Sequence, residues 1–491
     1  MGYCSPALQD LASVRPMTAF HVSLVGRRDF SGEIYRQIRQ AILDGRLKDG
    51  DRLPATRELA RSLAVSRSTV TTAYERLLGE GIAASRIGAA TIVSSRNGRS
   101  SPIARFASGR ALRAREVWDA VTVTVASVSP AAYDFRNCFP DVALFPHVVW
   151  RRAVARALRS SSMTSAVYEA PAGTQALRTA IADHIGVSRS VKASPDDIIV
   201  TNGTQQALDV IARTLLEPGD VIAVEDPGYS PPRHLFRSLG ARVVGVPVDG
   251  DGLVVDQLPL NTRMVYVTPS HQFPLGVAMS LPRRRALLAW AKRNNAAIIE
   301  DDYDSEFRFG GRPLDPLQTL DSAGHVIYVG TFSKTMLPAL RLGFLVLPPS
   351  LRAAAAKAKF VSDWHTSTLA QPALARFIDD GSFARHIRKM GNVYSQRHRI
   401  VTATIERDFG VHLELMPSSS GLHVAALARA ASVEEVASIV RRAARIGVVV
   451  RPLAQFAVGT KARAGIIIGY GAIPTSKISE GLQRLHRCFT G

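Results

Sequence analysis

The sequence predicts two folding units in one chain: a small helical unit with a hairpin, followed by a large α/β domain whose sheet is mostly parallel. The chain has 491 residues, more than one ordinary domain contains. Residues 30–93 have the pattern of three short helices and a hairpin. From about residue 134 onward, short β-rich runs alternate with helical stretches, which is typical of a parallel sheet.

The small unit is predicted from the spacing of its apolar residues. Ile34, Ile38 and Ile42 recur at helical spacing, and two further short helices begin after Pro54 and Ser66. A short turn joins the second and third helices, which indicates a helix-turn-helix, a motif whose last helix enters the major groove of DNA. Residues 82–93 then alternate loosely, as the two strands of a wing would.

Four motifs in this unit carry a resemblance to a known family: Leu-Pro-Ala-Thr-Arg-Glu-Leu-Ala at 53–60, Val-Ser-Arg-Ser-Thr-Val at 65–70, Ala-Tyr-Glu-Arg-Leu at 73–77, and the wing at 81–93. They resemble the winged helix-turn-helix of the GntR family. The DNA contacts that the resemblance implies are Arg57 and Arg67, with support from Ser66, Ser68 and Thr69. On the wing, Arg86 is expected to reach phosphate or the minor groove. The wing tip has Ala-Ala at 89–90 where the family usually has Ser-Gly, so it loses a residue that tolerates positive φ.

The charge of the chain favours a polyanionic partner. The formal net charge is +20, and residues 1–115 hold 19 Lys and Arg against 9 Asp and Glu, a net charge of +10. No apolar run is long enough to predict a membrane span and no signal peptide is evident, so we expect a cytoplasmic protein. The three cysteines are odd in number and far apart, which suggests neither a disulfide framework nor a metal cluster.

We expect an amino-terminal extension over residues 1–27, the winged helix-turn-helix over 28–96, a linker rich in Ser, Arg, Gly and Ala over 97–130, and the α/β domain over 131–491. Ligands of a parallel sheet gather at the carboxyl ends of its strands. The predicted strands of the α/β domain are Asp197–Thr201, Val221–Val224, Val243–Val246, Met264–Thr268, Ala297–Asp301, His325–Val329 and Gly343–Leu347.

Three of these strand ends carry polar groups that together fit one ligand. One opens a helix at residues 201–205 and offers backbone N–H groups to a phosphate. Pyridoxal phosphate (PLP) needs an amine for its aldehyde, a carboxylate for its ring nitrogen, a donor for its phenolate and several donors for its phosphate. The residues that supply these groups are, in turn, Lys334, Asp301, Tyr303, and the turn Gly203–Gln205 with Arg341.

Further stretches carry a second resemblance. They are Asp134–Arg136, Leu144–Pro146, Tyr168–Arg178, Glu225–Tyr229, Thr268–Pro274, Glu300–Phe307 and Gly330–Gly343. Residues 134–491 resemble a fold-type I aminotransferase domain with a smaller C-terminal α+β subdomain. Because this domain follows a GntR-type module, the whole chain is similar to the MocR/GabR family of transcriptional regulators.

The resemblance implies a role for each residue of the site. Lys334 would hold the cofactor as an internal aldimine, Asp301 would bind the pyridine nitrogen and Tyr303 the phenolic oxygen, while the Tyr229 ring would stack on the cofactor. The residues implied to bind the phosphate of the cofactor are Gly203, Thr204, Gln205, Thr331, Ser333 and Arg341. Tyr168 would reach the phosphate of the neighbouring subunit in a head-to-tail homodimer.

Three residues depart from the family pattern. Cys138 replaces a glycine at the amino-acid pocket, Phe273 replaces an asparagine that is common near the cofactor oxygen in true aminotransferases, and Leu275 replaces a small hydroxyl residue. The last two changes weigh against an efficient enzyme, so weak or half-reaction transamination is the most we expect. An effector carboxylate should meet an arginine. The candidates, in order, are Arg451, Arg463 and Arg233.

The leading hypothesis is a PLP-dependent, DNA-binding transcriptional regulator in which an amine or amino-acid effector displaces Lys334 by transimination. One alternative is a catalytically active PLP aminotransferase with an accessory N-terminal module. Another is a regulator that senses PLP itself. Members of this family are associated with γ-aminobutyrate, taurine, ectoine-derived amines or PLP, and no residue separates these effectors or identifies the operator.

Overall fold

The computed structural model describes residues 22–24, 29–85, 90–94, 113–121, 131–136, 138–159, 167–310, 315–459 and 462–490. The chain divides into two compact units, Met1–Arg113 and Ala114–Gly491. Arg86 lies outside the described residues, as do most of the predicted amino-terminal extension and linker. The predicted domain boundaries therefore stay predictions.

The first unit is a three-helix core with a small hairpin. Its helices are α1 (Phe30–Leu43), α2 (Thr56–Ser62) and α3 (Arg67–Gly79), and strands β1 (Ala83–Ala84) and β2 (Ile92–Val93) pair antiparallel. Ser66 caps α3, because its hydroxyl accepts a hydrogen bond of 3.2 Å from the Thr69 N–H. The predicted apolar positions Ile34, Ile38 and Val70 are buried in one cluster. This arrangement confirms the predicted winged helix-turn-helix fold.

An eight-stranded sheet forms the centre of the second unit, with the strand order β4-β11-β10-β9-β8-β5-β6-β7. The strands β10, β9, β8, β5 and β6 all run parallel to one another. The strand β11 runs antiparallel to β4 and β10, and β7 runs antiparallel to β6. The mostly parallel sheet and all seven predicted strands are thus confirmed. The strand bounds are β4 Ile198–Thr201, β5 Val221–Asp226, β6 Arg242–Asp249, β7 Gly252–Leu253, β8 Thr262–Val267, β9 Ala297–Asp302, β10 Val326–Thr331 and β11 Gly343–Val346.

A smaller antiparallel sheet and a short parallel pair complete the second unit. The sheet has the order β12-β13-β16-β15, with β12 Leu413–Leu415, β13 His423–Ala428, β15 Arg451–Pro452 and β16 Gly465–Gly469. The short pair is β3 Tyr133–Asp134 with β14 Val448–Val449. The helices are α4 His147–Arg159, α5 Gln175–Arg189, α6 Thr204–Leu215, α7 Ser230–Ser238, α8 Leu281–Asn294, α9 Leu317–Leu320, α10 Arg352–Asp363, α11 Gln371–Asp379, α12 Ser382–Phe409, α13 Val433–Arg445 and α14 Thr475–Thr490.

The main sheet is buried on both faces. Every residue of β5 and β10 is buried, and both strands carry continuous apolar runs, as strands covered by helices on both sides do. The carboxyl ends of β4, β9 and β10 lie along one edge of the sheet, because β4 and β10 both run antiparallel to β11 and β9 runs parallel to β10. That edge positions the candidate site.

The described part of the predicted linker, residues 113–121, includes a single 3-10 turn at Glu116–Trp118. Arg115 donates a hydrogen bond of 3.0 Å to the backbone carbonyl of Ser238, so the start of the second unit is attached to the end of α7. Among the described residues, no helix combines the length and apolar character that crossing a membrane requires.

Candidate functional site

A cavity of about 310 Å³ opens at the carboxyl edge of the main sheet. Its walls come from the ends of β9 and β10, the start of α6 and the segment after β3. Most of the residues predicted to bind the cofactor line it. The lining residues are Cys138, Phe139, Thr204, Gln205, Tyr229, Tyr266, Thr268, Phe273, Asp301, Tyr303, Thr331, Ser333, Lys334, Pro338 and Arg341.

The turn before α6 is a backbone cradle of the kind that binds phosphate. Gly203 precedes the first residue of α6 and has φ +79°, a conformation that favours glycine. A Cβ atom on Gly343 would lie 2.9 Å from the Cα of Gly203, so the two backbones approach too closely for a side chain. Arg341 adds positive charge and holds the turn, because its Nη2 donates a hydrogen bond of 2.7 Å to the carbonyl of Asn202. The start of α6 thus offers N–H groups and a guanidinium to an anion.

Lys334 follows β10 and lines the cavity with its amine. Burial lowers the pKa of this amine, and the negative groups around it only partly offset that effect. The Nζ atom lies 4.5 Å from the ring centroid of Phe139. Because the neutral amine is the form that attacks a carbonyl carbon, this environment suits a lysine that attaches a carbonyl cofactor.

Asp301, at the end of β9, has one carboxylate oxygen free to meet a ligand. Its Oδ2 accepts a hydrogen bond of 2.6 Å from the hydroxyl of Tyr266. Its Oδ1 is buried and has no hydrogen-bond partner within the described parts of the chain. Burial raises the pKa of the Asp301 carboxyl to about 7. A protonated pyridine nitrogen would satisfy the orphaned oxygen and stabilise the charged carboxylate, so Asp301 fits PLP.

Aromatic side chains form the remaining walls. The rings of Tyr229 and Phe273 meet edge to face, with centroids 5.5 Å apart. The Tyr303 hydroxyl donates a hydrogen bond of 2.8 Å to the backbone carbonyl of His271. To donate to a ligand oxygen, as the sequence predicts, Tyr303 would have to exchange that partner.

Behind Tyr303 lies a buried polar cluster that the sequence analysis missed. His271 Nδ1 lies 3.1 Å from both carboxylate oxygens of Asp304 and 3.1 Å from the Tyr303 hydroxyl. One donor atom each from His271, Asp304 and His423 lies within 4.8 Å of the other two, a set that could hold a metal ion. Because His271 contacts both the Asp304 carboxylate and the Tyr303 hydroxyl, we interpret the cluster as support for Tyr303.

Tyr266 and Phe139 are two further site residues that the sequence analysis did not assign. Tyr266 bears the one hydroxyl in the otherwise apolar stretch Met264–Val267 of β8, and that contrast was the available signal. Phe139 follows Cys138 in a segment without periodicity, so no pattern marked it. Burial raises the pKa of the Cys138 thiol to about 11, which keeps the thiol protonated. Leu275 is fully buried in an apolar cluster with residues of β6 and β16.

The three candidate arginines for an effector carboxylate have different surroundings. Arg451 is half-buried on β15, and its charge lowers the pKa of the Lys334 amine, although burial and other charges act more strongly. Arg463 lines a separate cavity with Asp249 and Met416. Arg233 is buried and donates a hydrogen bond of 2.6 Å to the carbonyl of Ala457. Of the three candidates, Arg451 is therefore the one whose charge acts on the Lys334 amine.

Tyr168 does not line the cavity of its own chain. Its side chain is 71% exposed and stacks on Trp364, with ring centroids 4.2 Å apart. An exposed aromatic pair of this kind is available to a partner, and the predicted contact of Tyr168 with a neighbouring subunit stays a prediction.

In the first unit, the predicted DNA contacts lie at the start of α3 and on α2. Ser66, Arg67 and Ser68 are exposed, as is Arg57 on α2. The hydroxyl of Ser66 lies 2.7 Å from that of Ser68, and the Arg67 Nε donates a hydrogen bond of 3.4 Å to the Thr56 hydroxyl. The exposed beginning of a recognition helix is the part that reaches base edges in the major groove.

Two family models match the chain: the gntR family of bacterial regulatory proteins over residues 30–93, and aminotransferase class I and II over residues 140–485. The second unit is similar in structure to an archaeal alanine:glyoxylate aminotransferase, with a TM-score of 0.69 and 27% identity, over 73% of this chain and 90% of that one.

Several relatives match the chain over both of these regions. The chain is 37% identical to the probable rhizopine catabolism regulatory protein MocR of Rhizobium meliloti, over 93% of each chain. It is 32% identical to the pyridoxine biosynthesis transcriptional regulator PdxR of Corynebacterium glutamicum, over 90% of this chain and 91% of that one. It is also 32% identical to the transcriptional regulator TauR of Rhodobacter capsulatus, over 96% and 99%. The chain therefore belongs to the MocR family of GntR-type transcriptional regulators, which join a winged helix-turn-helix to an aminotransferase-like domain.

Proposed function

We propose that this DNA-binding regulator uses PLP in its second unit to sense an amine or amino acid. The observation that carries the proposal is that one cavity contains both the half-buried Lys334 and an Asp301 oxygen that has no hydrogen-bond partner among the described residues. The exposed start of α3 in the same chain supplies a surface suited to DNA. The names of two relatives, the probable rhizopine catabolism regulatory protein MocR and the pyridoxine biosynthesis transcriptional regulator PdxR, support regulation linked to small molecules.

Each residue of the cavity has a proposed task. When bound, PLP supplies an aldehyde that amines capture, and Lys334 is the amine suited to hold it. The N–H groups at the start of α6 bind the phosphate together with Arg341, Thr331 and Ser333, which line the same cavity. Asp301 keeps a proton on the pyridine nitrogen, and Tyr229 restricts the tilt of the ring. Phe139 and Phe273 exclude water from the amine.

An effector that carries an amine and a carboxylate would compete with Lys334 for the aldehyde. Its carboxylate would pair with the Arg451 guanidinium in a bidentate contact. Binding shifts the protein only to the extent that the effector interacts differently with two arrangements of the molecule. We propose that those arrangements are states of a head-to-tail homodimer, in which Tyr168 contacts the partner and the paired winged helices address two half-sites.

The test is a titration with a panel of amines and amino acids that records the cofactor absorbance and binding to the promoter region of the gene itself. At least one compound should change both signals. Steady production of keto acid without any effect on DNA binding would favour the aminotransferase alternative. A change in DNA binding with PLP alone, and none with any amine, would favour a sensor of PLP itself.

A further inference from the structure

The residue before the phosphate turn, Asn202, is held on three sides. Its N–H donates a hydrogen bond of 2.8 Å to the Gln206 Oε1, and its carbonyl accepts one of 2.7 Å from the Arg341 Nη2. Its side-chain Nδ2 donates a hydrogen bond of 2.7 Å to the Asp363 Oδ2. Asp363 ends α10, so this last contact connects the turn to an element about 160 residues away in sequence.

Asp363 organises the outer side of the turn. The same Oδ2 also accepts a hydrogen bond of 2.6 Å from the Gln206 Nε2, so one carboxylate oxygen holds the side chains on both sides of Gly203. The other oxygen pairs with the amine of Lys359, a side chain with no exposed surface. That ammonium group offsets the negative charge of Asp363, which would otherwise repel a phosphate bound at the turn.

The backbone after Asp363 adopts a conformation that requires support. Trp364 has φ +66° and ψ −73°, and the His365 N–H donates a hydrogen bond of 2.8 Å to the Asp363 carbonyl. These features define a classic γ-turn, which is rare and strained for a residue with a side chain. The Trp364 ring is stacked on Tyr168, and the Thr366 hydroxyl donates a hydrogen bond of 3.2 Å to the Val200 carbonyl in β4. The strained turn is thus fixed at both ends, and it directs Asp363 towards Asn202.

We propose that Asp363 is a positioning residue for the phosphate of the cofactor, an inference that rests on the proposed binding of PLP. Asp363 does not line the cavity and would not contact the cofactor. It fixes Asn202 and Gln206, and through them it orients the N–H groups of the turn before the phosphate arrives. An anion site whose donors are already oriented binds more tightly, because binding then does not have to order those donors.

The phosphate provides a selective readout. Pyridoxal lacks the phosphate but keeps the aldehyde, the phenolic oxygen and the pyridine nitrogen. A residue that orients the phosphate turn should affect the affinity for PLP and leave that for pyridoxal nearly unchanged. A residue with a general structural role should affect both affinities by the same factor.

The experiment measures the dissociation constants of both compounds by fluorescence titration of the cofactor-free full chain. Asp363→Ala and Asn202→Ala should each weaken PLP binding by about tenfold, the effect of one lost charge-assisted hydrogen bond, while pyridoxal binding changes by less than about twofold. The matched control is Asp209→Asn, which breaks an ion pair with Arg213 further along α6 and should change neither constant. If Asp363→Ala misfolds because Lys359 loses its partner, the double variant Lys359→Met/Asp363→Ala removes the buried charge as well.

Equal weakening of PLP and pyridoxal binding, or no change in either, would overturn the role of Asp363 and leave the proposed function standing. A wild-type chain that does not bind PLP would overturn both. The proposal requires that both single variants bind PLP about tenfold more weakly than the wild type while their affinity for pyridoxal stays nearly unchanged.

Discussion

The two units of the chain differ in where they place their functional side chains. In the first unit, Arg57 and Arg67 are exposed on helices that cover a buried apolar core. In the second unit, Asp301 is buried and Lys334 is half-buried, and burial shifts the pKa of both. An exposed arginine meets a large polyanion with its charge already in place, whereas the protonation of an amine or carboxyl that lines a cavity depends on the protein around it. Mutations should therefore separate binding from stability in the first unit and couple the two in the second.

The largest expected effect comes from the lysine of the buried site. Lys334→Ala removes the amine that attaches PLP, so the visible absorbance band of the attached cofactor should disappear completely. The matched control is Lys389→Ala, an exposed lysine on α12, which should keep the band. A band that survives in Lys334→Ala would show that another amine holds the cofactor, and would contradict the role of Lys334 in the second unit.

The coupling of function to stability is tested at Asp301. In the cofactor-free protein the pKa of this carboxyl is raised from 3.8 to about 7, so the folded state binds more protons than the unfolded state between these values. Its contribution to stability is present below about pH 4 and is lost as the pH rises through 7. The difference in free energy of unfolding between wild type and Asp301→Asn should fall by about 4 kcal/mol at most across this range.

Chemical denaturation of both proteins at several pH values measures that difference. The cause of the shift is burial, which penalises the charged carboxylate. A difference that stays constant from pH 4 to pH 8 would mean that Asp301 is solvated, and it would remove the reason for assigning this carboxyl to a ligand nitrogen.

The converse behaviour is expected in the first unit. Arg67→Ala should weaken operator binding by about 1–3 kcal/mol if the guanidinium contacts a base edge, with little change in the free energy of unfolding. Arg67→Lys keeps the charge and loses the bidentate geometry, so it separates base recognition from phosphate contact. Arg407→Ala, at an exposed position of the second unit, is the control. Equal operator affinity of Arg67→Ala and wild type would exclude the start of α3 from the interface.

The smallest expected effect concerns the cap of α3. Ser66→Ala removes the acceptor for the Thr69 N–H and should destabilise the first unit by about 1 kcal/mol. All four tryptophans lie in the second unit, and Trp290 is buried there, so tryptophan fluorescence follows the unfolding of that unit, which should not change. An equal decrease in the free energy of unfolding of both units would indicate that they unfold together, and would contradict the separate stability of the two units.

The sequence predicted those parts of the molecule that depend on local pattern. The seven strands of the main sheet were predictable because buried parallel strands carry continuous apolar runs, and β5 and β10 are examples. Asp301 and Lys334 were predictable because Asp301 lies at the end of such a strand and Lys334 follows another, and the carboxyl ends of parallel strands lie at one edge. The cap at Ser66 was predictable because its signal lies within four residues.

Features that depend on distant neighbours could not be predicted in this way. Tyr266 matters because its hydroxyl reaches Asp301 across neighbouring strands, and Asp363 because it reaches Asn202 from another helix. No spacing in the sequence records either contact. The sequence also did not separate Arg451 from Arg463, because both follow β14 within a stretch of ordinary composition. Only the fold shows that Arg463 lines a different cavity.

The central claim is that the Lys334 amine in the cavity of the second unit controls DNA binding by the first. The most direct measurement is the operator affinity of wild type and of Lys334→Ala, at one fixed salt concentration, with PLP present and with the active amine of the panel added. We predict that the amine changes the operator affinity of the wild type by about 5- to 150-fold, the usual range of coupling between two sites, and leaves that of the variant unchanged. An equal response in both proteins, or no response in the wild type, would contradict it.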